Sequence, residues 1–179
     1  MNAIALIDCN NFYVACERLF APSLRNRPVA VLSNNDGCIV ARSEEVKALN
    51  IPMGIPVFQV RDHLIQNEVE LFSSNYTLYG DLSNRVNDVL RHFSNRIETY
   101  SIDESFLVFP DACDNTKYGH KIRNTVDQWT GIPVSIGIGQ TKSLAKIANK
   151  LAKRYQTGVL DLIRNPRRDR ILDTVPVDE

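Results

Sequence analysis

The stretch IETYSIDESFLVF, residues 97–109, decides how the rest of the chain is read. Two β-like runs, 96–100 and 105–109, flank the tetrapeptide SIDE, and the adjacent carboxylates Asp103 and Glu104 stand in an apolar, aromatic surround. In a straight strand the two would face opposite sides of the sheet, so one would enter the core or lie against a covering helix. A hairpin with its tip at 101–104 removes that contradiction and lets both carboxylates lean toward one end of the sheet.

Working outward, residues 3–7 read as a short buried strand that runs out at Asp8, and polar residues at strand ends are where open sheets place their sites. Phe12, Ala15, Cys16 and Leu19 repeat at helical spacing before Pro22. Residues 28–32 and 39–41 read as strands joined through the tight-turn pair Asp36-Gly37. Ser43 is placed to cap a helix whose first turn carries Glu44 and Glu45, and Pro52 and Pro56 mark a loop. A weaker helix over 57–65 precedes an apolar run at 69–72. A long helix over 75–94 shows Leu78, Leu82, Val86, Val89, Leu90 and Phe93 on one face. Beyond the hairpin, Tyr118, Ile122, Val126 and Trp129 mark a helix, 133–138 a strand, 143–155 a helix and 159–163 a strand. With 22–73 taken as an insertion, the remainder predicts an α+β sheet with helices on one face.

Composition bounds the function classes. No window approaches 18 uncharged apolar residues, and Asp8 interrupts any signal-peptide pattern, so a cytoplasmic protein with no membrane partner is expected. The cysteines at 9, 16, 38 and 113 lack CxxC spacing, which favours buried thiols over a disulfide framework or zinc site. Net charge is zero, yet residues 142–170 carry 9 Lys/Arg against 2 Asp/Glu while residues 1–141 carry 12 against 16. Such asymmetry suits a polyanion bound near one end of the chain and a cation-demanding acidic centre elsewhere.

Asp8, Asp103 and Glu104, if brought together, repel one another unless something positive sits between them. Oxygen donors without His or Cys select hard cations, and Mg²⁺ commonly combines one or two carboxylates with substrate phosphates. Metal-assisted phosphoryl transfer is the chemistry this predicts. Composition and spacing alone do not overturn the plainer reading of an exposed Asp-Glu turn, and the neighbouring motifs have to decide.

Projected at 100° per residue, residues 141–155 place Leu144, Ile147, Ala148, Leu151 and Tyr155 in one arc, with Lys142, Lys146, Lys150 and Lys153 opposite. No acid stands at i±4 to pair with these lysines, so a phosphate-seeking stripe is expected, with a plain solvated face as the alternative. RNPRRDR, residues 164–170, adds four arginines suited to a nucleic-acid backbone.

Together, DCNNFYVACE (8–17), VLSNNDGCIVARSEEVKAL (31–49), MGIP (53–56), SSNYTLYGDLSNRV (73–86), YSIDES (100–105) and GIGQTKSLAKIANKLAK (137–153) resemble the Y-family, lesion-bypass DNA polymerases. They occur in family order, and SNNDGC and SSNYTLY favour the UmuC-like branch. The resemblance implies an α+β fold: a ferredoxin-like polymerase palm (1–21 and 74–165) with a small inserted α/β fingers domain (22–73) and the start of a linker or thumb (166–179). It implies that Asp8, Asp103 and Glu104, with the main-chain carbonyl of Cys9, hold two Mg²⁺ ions. Lys153, with Lys47 and Lys146, would neutralise the triphosphate of an incoming dNTP. Phe12 and Tyr13 match the paired aromatics in which the second excludes a ribose 2′-OH. The partners implied are a DNA primer-template and, for a full-length protein of the SOS response, a UmuD-like subunit, RecA and the sliding clamp.

Two departures stand out. Glu44 occupies a place where many members carry an aromatic, and Lys47 a place where they carry Arg; Ser43 would then donate the hydrogen bond that Glu44 cannot. The family also continues into thumb and little-finger domains, so weak or undetectable processive synthesis is expected of these 179 residues alone. A nucleotide cyclase built on a similar palm and a non-catalytic regulator competing with a full-length polymerase are the competing functions.

Overall fold

The structure, a computed structural model, describes residues 3–111 and 113–176. The parts of the expected palm and thumb segments at 1, 2, 112 and 177–179 lie outside the described residues. Strand β1 (Ile4–Cys9) leads into helix α1 (Phe12–Phe20). Strands β2 (Val29–Leu32) and β3 (Ile39–Arg42) precede helices α2 (Glu44–Ala48) and α3 (Val57–Gln66) and strand β4 (Glu70–Ser73). Helix α4 (Tyr76–Arg91), the hairpin β5 (Ile97–Thr99) and β6 (Glu104–Val108), and helix α5 (Asn115–Thr130) follow. Strand β7 (Val134–Gly139), helix α6 (Lys142–Arg154), strand β8 (Val159–Asp161) and helix α7 (Arg168–Leu172) complete the chain. The mixed α+β class expected from the sequence is what forms.

Two compact units share these elements: residues 1–9 with 83–179, and residues 10–82. In the smaller unit β2 is the central strand, antiparallel to β3 and parallel to β4. Ala30, Leu32, Ile39, Val46, Ile51 and Leu64 form its apolar core. The Asp36-Gly37 turn takes its left-handed residue at Asp36 (φ 55°), while the Asn35 side chain accepts a hydrogen bond from Gly37 N at 3.2 Å. An Asx-type bond of this kind steadies the local turn. Cys16, buried in α1, has its thiol pushed by burial up to about 12. The unfolded thiol ionises as pH passes through about 9 while the folded one stays neutral until about 12, so its raised value costs stability as pH rises from about 9 toward 12. Cys9 is buried too, whereas Cys38 and Cys113 are only half-buried, so the expectation of buried thiols holds for two of the four. Native protein at pH 8 is therefore expected to leave Cys16 unlabelled by a thiol reagent that labels it in urea, read by mass spectrometry of the peptide.

In the larger unit the sheet runs β5-β6-β1-β7-β8, antiparallel except for the parallel β7-β8 pair. The expectation that its helices share one face is corrected by the glycines of β7. A Cβ at Gly137 would lie 2.0 Å from Asn149 N and 2.2 Å from Ala145 O, and one at Gly139 2.7 Å from Ala145 N, so α6 rests directly on that face. The intervening Ile138 points the other way, 3.6 Å from where a Cβ of Gly119 on α5 would stand. Successive strand residues alternate sides. Helix α5 and helix α6 therefore cover opposite faces of the sheet. Ser105, out of phase with Glu104 and Phe106, donates to Asn87 Oδ1 of α4 at 2.7 Å, which puts the end of α4 on the α5 side.

This close seat also turns α6 away from the expected orientation. Its buried residues are Ala145, Ala148, Asn149, Leu151 and Ala152, while Tyr155, expected in the apolar arc, is 52% exposed. Small side chains let the helix backbone approach the glycines, and the buried Asn149 amide donates to Leu6 O at 3.3 Å and Ser135 O at 2.8 Å. On α5, Trp129 is likewise exposed and not part of the core face.

Candidate active site

Register places the first two carboxylates. Asp8 of β1 pairs directly with Glu104 of β6 and, on its other side, with Ser135 of β7. Directly opposed residues of an antiparallel pair point to the same face. That face is the one α6 covers. Asp103 reaches the same end of the sheet through the main chain, because Cys9 N donates to Asp103 O at 2.9 Å. Glu104 is the first residue of β6 and not part of the hairpin tip, which narrows to 101–103.

The turn carries its own scaffold. Tyr100 N and Ser101 N both donate to Glu104 O, at 2.9 and 3.1 Å. Ser101 Oγ donates to Asp103 Oδ1 at 2.7 Å and accepts from Glu104 N at 3.1 Å. Ser101 thereby fixes the Asp103 carboxylate, a role that the sequence reading passed over. Its signal was the Ser-x-Asp spacing, which is that of a hydroxyl-led turn.

The lysine stripe is not left without acids. Lys142 meets Glu98 Oε1 at 2.6 Å, Lys146 meets Glu104 Oε2 at 3.5 Å, and Lys153 meets Asp8 Oδ1 at 2.5 Å. The partners missing at i±4 on the helix come instead from β5, β6 and β1, one strand each. Burial pushes the Asp8 carboxyl above the usual carboxylate range; Lys153 pulls it back down, and Asp103 and Glu104 push it up. Among the described residues, no three His, Cys, Asp or Glu side chains are gathered into a ready cation cage. Two of the three acids are held on ammonium groups instead.

The other candidates fall in the smaller unit. Tyr13 stacks on the buried Tyr79, with ring centroids 4.3 Å apart and planes 14° apart, and Tyr76 meets both rings edge-on. Tyr79 is anchored in turn by its hydroxyl, which donates to Glu17 Oε1 at 2.7 Å. Phe12 is a core residue, 4% exposed. Ser43, expected to donate to a nucleotide, is wholly buried: its Oγ accepts from Val29 N at 3.1 Å and Val46 N at 3.3 Å. It is the cap of α2, as its position before Glu44 and Glu45 predicted, and is corrected to that role alone. Lys47 Nζ donates to Asn11 Oδ1 and Glu44 Oε1, both at 2.7 Å. The Lys47 hydrogen bond holds Glu44 below the usual carboxylate range.

The family model described as impB/mucB/samB matches residues 7–150. The chain belongs to that family. The protein UmuC of Salmonella typhimurium is 48% identical over 181 residues, covering 98% of this chain and 43% of its own length. DNA polymerase IV 1 of Bacillus subtilis is 30% identical over 179 residues, covering 97% and 42% respectively. This impB/mucB/samB chain thus spans less than half the length of the curated relatives it matches. Among solved structures, an insertion ternary complex of Dbh DNA polymerase superposes with a TM-score of 0.86 at 21% identity, covering 98% of this chain and 53% of that one. DinB from Sulfolobus solfataricus gives a TM-score of 0.75 at 23% identity, covering 83% and 45%. These structures share the fold, and the Y-family resemblance read from the motifs is borne out at the family level. No helix among the described residues of this family member is long and apolar enough to cross a membrane.

Proposed function

We propose that the chain carries the palm (1–21 and 74–165) and fingers (22–73) of a lesion-bypass DNA polymerase that adds a templated dNTP to a primer 3′-OH, as its UmuC and DNA polymerase IV relatives suggest. The observation that carries this reading is the direct pairing of Asp8 with Glu104, with Asp103 tied to Cys9, under a helix that offers lysines. The donor set fits a hard cation, being carboxylate oxygens without His or Cys. Asp8, Asp103 and Glu104, with the Cys9 carbonyl, would hold two Mg²⁺ ions, which supply charge neutralisation for the attacking and leaving oxygens.

The side chains of this chain do the rest. Lys153 and Lys146 exchange their carboxylates for the phosphates of the dNTP, so their charge is present before substrate arrives and is redirected by it. Lys47 offers a point charge of the same sign in the smaller unit. Tyr13, backed by the stacked Tyr79, presents a fixed edge that rejects the added 2′-OH of a ribonucleotide by shape. The partners proposed are primer-template DNA and dNTP, with a UmuD-like subunit, RecA and a sliding clamp for a full-length protein.

The test is primer extension with Mg²⁺ and one dNTP at a time, using this chain and a fusion that carries the remaining length of Salmonella UmuC. Addition of the templated nucleotide alone is expected, with little processivity from the 179 residues themselves. Template-independent addition, a cyclic nucleotide product, or no addition by either protein would overturn the reading. Replacing Tyr13→Ala in the fusion is expected to lower dNTP-over-rNTP discrimination by roughly tenfold or more, measured as the ratio of kcat/KM values. Unchanged discrimination would remove Tyr13 from that role.

A further inference from the structure

Tyr100 opens the catalytic turn, yet no role in the proposed chemistry uses it, and its side chain is 55% exposed. The ring is not loose. It meets the buried Phe106 edge-on at 5.5 Å and 76°, which sets the direction of its face. Over that face lies the Lys146 ammonium, 4.2 Å from the ring centroid.

The lysines of α6 differ in how they are held. Lys153 and Lys142 sit 2.5 and 2.6 Å from carboxylate oxygens, in short charge-assisted hydrogen bonds. Lys146 stands 3.5 Å from Glu104, too far for a good hydrogen bond, so the aromatic face contributes much of what locates it. A ring quadrupole attracts a cation without cancelling its charge, whereas a carboxylate cancels it. An ammonium parked on a ring is therefore fixed in place and still able to meet an anion. The same residue sets the carboxylate side of the arrangement, since Tyr100 N donates to Glu104 O at 2.9 Å.

We propose that Tyr100 is a positioning residue that holds the Lys146 ammonium above Glu104, available to the phosphates of a nucleoside triphosphate. The proposal rests on the nucleotide-binding reading of this site. Loss of the ring face frees Lys146 to close onto Glu104 or swing into solvent, and triphosphate affinity falls without loss of the fold.

The test is a double-mutant cycle on the 179-residue chain with dATP and Mg²⁺ as the probe, read by calorimetry. Tyr100→Leu and Lys146→Met are each expected to weaken binding about three- to tenfold, with Tyr100→Phe within about twofold of wild type. The double variant Tyr100→Leu/Lys146→Met binds no more weakly than Lys146→Met. Proton NMR supplies a second readout that needs no ligand: the Lys146 side-chain methylene signals are ring-shifted in wild type and Tyr100→Phe, and lose that shift in Tyr100→Leu. Full affinity in Tyr100→Leu while Lys146→Met weakens binding, or losses that multiply in the double variant, would overturn the proposal. Unshifted Lys146 signals in wild type overturn the placement itself. Wild type that shows the ring shift but does not bind dATP overturns the nucleotide reading, and the role given to Tyr100 with it.

Discussion

Replacing Asp103→Asn together with Glu104→Gln is expected to abolish templated nucleotide addition while leaving the fold standing. The substitutions keep volume and shape but remove two of the three charges proposed to hold cations. Metal-assisted charge stabilisation is worth several kcal/mol, and each 1.36 kcal/mol is tenfold in rate, so a loss of about a thousandfold or more follows. The fold should survive because the backbone bonds that build the turn, Cys9 N to Asp103 O and Tyr100 N to Glu104 O, do not involve the carboxylates. Removing two acids also relieves the repulsion on the half-buried Asp8, which offsets part of what Lys146 loses in its partner. Single-turnover extension by the UmuC-extended fusion gives the rate, and a thermal melt of the same variant gives the fold. Addition within tenfold of wild type by a variant that melts normally would show that these carboxylates are not the catalytic ones.

Gly137→Ala is expected to prevent stable folding of the larger unit, although it adds one methyl group to a strand. The new Cβ would stand 2.0 Å from Asn149 N, 2.2 Å from Ala145 O and 2.6 Å from Asn149 Cα. All three are backbone atoms of α6, which cannot step aside as a flexible side chain can. To make room the helix must lift from the sheet, which opens the seats of Ala145, Ala148 and Ala152 and draws the Asn149 amide away from Leu6 O and Ser135 O. Overpacking alone costs about 1–3 kcal/mol, and each buried polar group left without a partner adds about 1–3 more. A domain stabilised by about 5–15 kcal/mol has little margin against that sum. Urea titration followed by circular dichroism should show a midpoint shifted far down or no native baseline, whereas Gly80→Ala, where a Cβ meets nothing within 4 Å, should leave it in place. A normal midpoint for Gly137→Ala would mean that α6 sits farther from β7 than the structure shows.

Most of the elements were legible because the chain's local signals agree with its fold. The buried run before Asp8, the apolar face of α4 and the Ser43 cap of α2 each express one period or one terminus, and these are local properties. What was not legible depended on which surface an element meets. The orientation of α6 was misjudged because the wheel ranks Leu144, Ile147 and Tyr155 by size, whereas Gly137 and Gly139 reward the smallest side chains. The Gly-x-Gly in β7 opposite alanines at helical spacing was the available clue. The same limit hid the partners of the lysines, since Glu98, Glu104 and Asp8 are between 42 and 145 residues away in sequence. Ser101, Asn87 and Asn149 were passed over for a related reason: a polar residue inside an apolar pattern looks like noise until its partner is known.

The glycine seat of α6 has a consequence for what length changes this segment can absorb. Each residue advances a helix by about 1.5 Å and turns it by about 100°. Because the helix backbone is pinned at Ala145 and Asn149 against β7, an inserted or deleted residue downstream cannot be taken up by sliding or rolling the whole helix. It is delivered in full to the far end, where Lys153 would swing off Asp8 by more than a quarter turn. Substitutions between those points are a matter of size and charge; the residue count between Gly137 and Lys153 is a dimension of the site.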